Sequence, residues 1–210
     1  MLWPLLATAL LAPAGTTLPE PIAAARQQFE QLDSYRVTVR SSAPHTRQQV
    51  ARYTYRKPGF VRMEFVTPHA GALMIYNPHS GKVRLWPFGH PGFALTLAPD
   101  NPLIRGPHGH RIDRSHVGML LQAVQILQAG GDTTLLGESA VGHWTTQGWS
   151  ITGAPGKTVA GVHRFQLWLA KGTQFPVKVV SFDLDGELLE TVLMDDVEVD
   201  VALPADFFQP

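Results

Sequence analysis

The sequence predicts an α+β protein made mostly of antiparallel sheet, and three observations carry that prediction. Tyr53 to Arg84 reads as three strands in succession, joined by proline and glycine turns too short for parallel crossovers. Two of these strands carry apolar residues on both faces, whereas a sheet with one solvated face alternates. In Phe60-Val61-Arg62-Met63-Glu64-Phe65-Val66 one face holds Val61, Met63 and Phe65 while Phe60 and Val66 lie on the other, and Leu73-Met74-Ile75-Tyr76 has no charged position at all. Only two segments show helical spacing, so helices are accessory to the sheet. Both faces of the middle strands therefore need a cover, and the second cover is expected to be a packed helix or a ligand cavity.

The elements follow in order. Pro19 and Pro21 open a helix whose apolar residues Ile22, Ala25, Phe29 and Leu32 recur at helical spacing and which ends near Asp33-Ser34. Tyr35 to Arg40 alternates and reads as a strand; a polar turn around Pro44 leads into a long strand from about Arg47 to Arg56. Lys57-Pro58-Gly59, Pro68-His69-Ala70-Gly71 and Asn77-Pro78-His79-Ser80-Gly81 are turn signatures, because proline fixes φ and glycine tolerates positive φ. Residues 87–109 are dense in Pro, Gly and His and read mostly as loop, with only Phe93 to Leu97 extended. Ser115 or Asp113 caps a second helix from His116 to Ala129, which Gly130-Gly131 stops. Its stripe of Val117, Leu120, Leu121, Val124 and Leu127 is widened by Met119, Ala123 and Ile126, so this helix must be largely covered. Strands are expected over 134–141, 144–152, 162–169, 177–184 and 188–201, with a turn at Asp185-Gly186.

Composition narrows the function. The chain has 210 residues, 44% of them apolar, enough for one sizeable core in residues 15–210. Lys and Arg total 17 against 17 for Asp and Glu, scattered along the chain, so there is no field to hold nucleic acid. Cysteine is absent, which removes disulfides, thiolate metal sites and cysteine nucleophiles. Met1 to Ala14 is apolar, too short to span a bilayer, and ends in Ala12-Pro13-Ala14, a small-residue cleavage signal; it reads as a secretory signal peptide despite lacking a positive start. Export without cysteine suits a bacterial periplasm.

Motifs that could carry chemistry all have plainer readings. His108, His110 and His116 have a spacing that could surround zinc, but two lie in a Pro-Gly loop, one starts a helix, and no spaced carboxylate accompanies them. Asp183-x-Asp185-Gly186 is a hairpin turn rather than a calcium loop. Asn77 to Lys82 lacks the leading glycine of a phosphate loop, and Ser139 in Gly-Glu-Ser-Ala-Val-Gly lacks the strand-turn-helix setting of a nucleophile. No nucleophile, base and orienting group assemble, so the expectation is a protein that is not an enzyme and needs neither metal nor cofactor.

Leu32-Asp33-Ser34-Tyr35, then Arg56-Lys57-Pro58-Gly59-Phe60-Val61-Arg62, Pro68 and Tyr76-Asn77-Pro78 match one half of a known pattern. Leu167-Trp168-Leu169, Phe175-Pro176-Val177-Lys178, Phe182 to Gly186 and Leu203 to Phe208 match the other. In that order they resemble the LolA-like family of periplasmic lipoprotein carriers, which includes the MucB/RseB-type regulators. The resemblance implies a strongly curved antiparallel half-barrel, its concave apolar face closed by helices and its convex face in solvent. It further implies a periplasmic protein that holds a lipid or the acyl chains of a lipoprotein for outer-membrane lipoprotein sorting, with envelope membrane proteins as further partners; the alternative is a regulatory or assembly module of the cell envelope that senses lipid or peptide in the same groove, and a metal-dependent enzyme ranks third. The groove is expected near Val61, Met63, Phe65, Leu73 and Ile75 on the strands and Leu120, Leu121, Val124 and Leu127 on the second helix, which would act as a lid.

Overall fold

The structure is a computed structural model and describes residues 20–106 and 109–209. The segment read as a signal peptide, Met1 to Ala14, lies outside the described residues, as does His108.

Helix α1 (Pro21–Gln31) begins where the Glu20 carboxylate accepts a hydrogen bond from the Ala23 N–H at 3.0 Å, with Pro21 in the first turn, where no N–H partner is needed. A meander follows: β1 (Ser34–Ser42), β2 (Gln49–Arg56), β3 (Phe60–Thr67), β4 (Leu73–Asn77), β5 (Lys82–Trp86) and the short β6 (Leu95–Leu97). Among the described residues of 98–116 are the 3-10 turns Pro102–Ile104 and Ile112–Arg114. Then come α2 (Val117–Gln128) and a second meander, β7 (Asp132–Val141), β8 (Trp144–Thr152), β9 (Arg164–Ala170), β10 (Pro176–Phe182) and β11 (Leu188–Val199).

All eleven strands form one antiparallel sheet in the order β6-β5-β4-β3-β2-β1-β11-β10-β9-β8-β7. The two meanders are thus joined by the pairing of β1 with β11, in which Tyr35 faces Val199 and Ser42 faces Thr191. Register shifts at Arg36/Thr38, Val50/Ala51, Ser181/Phe182 and Leu135/Gly137 add local bends and twist, which curl so wide a sheet. At the first of these Asp196 takes a φ of 51° and its carboxylate accepts a hydrogen bond from the Thr38 hydroxyl at 3.0 Å. The half-barrel expected from the resemblance is the architecture observed.

Both helices lie within the curl. Ile22, Ala25 and Phe29 of α1 and Val117, Leu121, Val124 and Leu127 of α2 are buried in one core with Tyr35, Val61, Ile151, Leu167, Leu169 and Val177 of the sheet. The helices approach closely at Gly118, where a Cβ would stand only 2.4 Å from the Phe29 ring, so only glycine fits without displacing α1.

The convex face departs from expectation. Instead of meeting solvent, the outer side of β3–β5 is covered by the chain's own tail: Phe60, Leu73, Ile75, Trp86 and Phe208 form a second core, with Leu203 and Phe207 against it. The Arg56 guanidinium lies 5.0 Å from the Phe60 ring centre and 4.8 Å from that of Phe208, and Arg62 sits 4.6 Å from Phe207 while donating to its carbonyl at 2.9 Å. Phenylalanines at the end of a chain need burial, and these arginines complete a lattice that holds them.

Candidate functional site

The inner face of the sheet is only partly filled. Between it, α2 and the segments 98–116 and 153–163 lies a cavity of about 580 Å³, within the roughly 300–1,000 Å³ common for ligand sites. Alternation along each strand decides what lines it. Val37 and Val39 come from β1, Met63 and Phe65 from β3, Met74 from β4, Leu85 from β5, Val179 from β10, and Val192 and Met194 from β11. The roof consists of Met119, Leu120 and Ala123 of α2, with Ile104, Ile112, Val159 and Val162 from the loops. This surface is mostly aliphatic, with methionine on four of its elements, a side chain that adapts to varied apolar shapes.

Polar groups gather at the loop side. Glu190, largely buried, accepts from the Ser41 hydroxyl and is 2.9 Å from the His110 imidazole. This hydrogen bond to Glu190 raises the His110 pKa above its usual value. Arg105, Arg111 and Arg114 also line the cavity; Arg111 is held by both carboxylate oxygens of Asp113 at 3.0 and 2.7 Å.

Two tyrosines fix the start of α2. The Tyr35 hydroxyl accepts from the Val117 N–H at 3.1 Å, satisfying one of the orphan donors of the helix. Ser115 donates its hydroxyl proton to the Ile112 carbonyl at 2.7 Å, so at the 2.9 Å contact between Tyr53 and Ser115 the tyrosine is the donor. Burial pushes both phenols up in pKa, which keeps them neutral anchors rather than acids. His116, stacked on Phe29 at 5.9 Å and beside Tyr55 at 4.9 Å, has its Nδ1 buried without a partner, and desolvation lowers its pKa.

The residues expected to form the groove divide into three groups. Met63, Phe65 and Leu120 line the cavity. Val61, Leu121, Val124 and Leu127 lie on the inner side but are fully buried where sheet and helices pack solidly, away from the cavity. Leu73 and Ile75 do not line it: they point to the outer face, into the core under Phe208, and their neighbour Met74 takes the inner position. In a run apolar on both faces, periodicity cannot say which face is concave. The buried stripe of α2 is likewise helix-to-helix and helix-to-sheet packing, and Met119, Leu120 and Ala123 beside it face the cavity. Sequence reading missed β1, β10 and β11 as walls, and it missed Glu190. The alternation of Val177, Val179 and Ser181 was the available signal.

The other motifs settle locally. Asn77 Oδ1 accepts from the His79 N–H at 2.9 Å in a hairpin turn, Asp183 Oδ1 caps the Asp185-Gly186 turn, and Ser139 lies on β7 with its hydroxyl 3.3 Å from that of Thr146. His110 and His116 have the separate partners already given, and no group of three or more metal-binding side chains converges among the described residues.

A curled antiparallel sheet that cups two helices and an apolar cavity is a fold this chain shares with LppX and MucB. Solved structures bear this out. LppX, a lipoprotein of Mycobacterium tuberculosis, superposes with a TM-score of 0.55 at 14% identity, covering 90% of this chain and 99% of that one. MucB, in the MucA/MucB complex of Pseudomonas aeruginosa, gives a TM-score of 0.52 at 18% identity, covering 89% of this chain and 61% of the other. An uncharacterised conserved protein of Thermus thermophilus gives 0.55 at 13% identity over 90% and 91% of the two chains. No protein-family model and no curated protein matches the sequence.

Proposed function

We propose that this protein is a non-catalytic carrier of the bacterial cell envelope, exported to the periplasm, which holds an acyl chain of a lipid or lipoprotein in the inner cavity and hands it on. The observation that carries this reading is the cavity itself: about 580 Å³ of largely aliphatic space left open beneath α2 in an otherwise well-packed sheet. Burying each methylene is worth ~0.8 kcal/mol, so even half of an acyl chain gives the carrier state a useful affinity without covalent chemistry. Its methionines suit chains of variable length and unsaturation. The fold shared with LppX and MucB supports a place in the envelope. A second reading, a regulator that engages a protein segment through the same cavity, draws support from the likeness to MucB, which was solved bound to MucA.

Native mass spectrometry of the protein purified from an envelope extract tests the proposal. Lipid-sized mass increments that disappear on delipidation and return on incubation with phospholipid vesicles are the expected result. A protein that emerges free of lipid and takes none up from vesicles would overturn it.

A further inference from the structure

The size of the cavity and the charge around it say which lipids fit, if the carrier reading above holds. A volume of about 580 Å³ lies within the roughly 300–1,000 Å³ of ligand sites and is ample for a long acyl chain. The cavity therefore has room for at least one long acyl chain. The apolar wall runs without a charged group from Met74 and Met63 across β1 to Met194, so the chain lies against these strands.

The loop side is cationic. Arg105, Arg111 and Arg114 line the cavity, whereas Glu190 is the one lining carboxylate and is already bonded to Ser41 and His110. Arg111 is engaged by Asp113, but Arg105 spends only its Nε, on the Asp100 carbonyl at 2.9 Å, and Arg114 makes no side-chain hydrogen bond among the described residues. Both residues are exposed while also lining the cavity. Two guanidinium groups with free N–H donors beside an apolar tunnel match an anion, since charge-assisted bonds from arginine to carboxylate or phosphate are the strong ones.

We propose that the ligand is a single-chain amphiphile with an anionic head, its acyl chain along Met63, Met74 and Met194 and its carboxylate or phosphate at Arg105 and Arg114. A free fatty acid and a lysophospholipid share this chemistry; a diacyl lipid differs in bringing a second long chain to the same cavity.

Three probes with the same acyl chain separate the elements of the proposal: oleate, monoolein and vesicles of dioleoylphosphatidylglycerol, each titrated calorimetrically into the delipidated full chain. Oleate is expected to bind one per protein, monoolein about tenfold more weakly for want of the charge, and the diacyl lipid not to be extracted from its vesicles. Replacing both exposed arginines, Arg105→Ala with Arg114→Ala, should weaken oleate by about tenfold and leave monoolein unchanged. Lysophosphatidylglycerol binding more tightly than oleate would assign the head as a phosphate, the reverse order as a carboxylate, and either supports the proposal. Monoolein as tight as oleate would overturn the anionic head, and stoichiometric extraction of the diacyl lipid would overturn the single chain while leaving the carrier reading intact. Binding of none of the probes would remove both.

Discussion

The two faces of strands β3 to β5 are made of similar residues and end in opposite states. On the outer face Phe60, Leu73, Ile75 and Trp86 are sealed by Phe208 and its neighbours from the chain's own tail. On the inner face Met63, Phe65, Met74 and Leu85 belong to or pack against the main core and also border a cavity. Hydrophobicity alone does not distinguish a sealed surface from an open one; the difference is whether the same chain supplies the filling. Where it does, the arginines Arg56 and Arg62 stack on the filling aromatics. Where it does not, Arg105, Arg111 and Arg114 are among the residues that line the cavity.

The largest effect should come from emptying the filled face. Phe208→Ala removes a ring that is 3% exposed and packs 5.4 Å from Phe60, and should cost about 3–5 kcal/mol in denaturation experiments, while molecules that remain folded still take up lipid. A cost below ~1 kcal/mol would mean that the tail merely rests on the sheet.

Filling the empty face should do the reverse. Met63→Trp adds bulk into open space, so stability should stay within about 1.5 kcal/mol of the parent while oleate affinity falls at least ~tenfold. Were the substitution as costly as Phe208→Ala, the inner face would be packed, not vacant.

Beside the cavity, His116→Phe keeps the stack on Phe29 and removes the buried nitrogen that lacks a partner, and should stabilise by about 1 kcal/mol at neutral pH. The gain has a pH signature. Because burial lowers the His116 pKa in the folded protein, its contribution is intact above the unfolded value of about 6.5 and is lost as pH falls through the folded value. Equilibrium unfolding at several pH values should therefore show the variant's advantage growing toward acid; a constant difference would contradict the burial.

The smallest effect has the opposite sign. His110 is raised by Glu190, so this pair stabilises fully below about pH 6.5 and loses its contribution as pH rises through the folded value. His110→Gln should narrow the gap to the parent protein on going to alkaline pH, by a modest amount because the imidazole is more than half exposed. The same unfolding series checks it, and a gap that widens with pH would refute the pairing.

Much of the fold was legible before any coordinates. The strands from Tyr35 to Arg84 and from Trp144 to Val199 were marked by alternation and by proline-glycine turns, and α2 by its stripe and the Gly130 stop. β7 extended two residues earlier than its alternation suggested, to Asp132, as strand ends commonly shift. Of the residues expected near the groove, Met63, Phe65 and Leu120 line the cavity while Leu73 and Ile75 lie on the outer face, a choice that a run without polar residues leaves open because it carries no phase.

What the sequence determined by itself is local: which segments extend, where they turn, and that the middle strands are covered twice, because propensity and periodicity act over a few residues. Tertiary structure alone decided the pairing of β1 with β11, the clamp of Phe208 on Phe60, and the union of Glu190 with His110 across 80 positions of chain. It also decided that one cover is tail and the other a cavity. These outcomes depend on volume, on which distant groups arrive to fill a space and which leave it open, and no short-range pattern records volume.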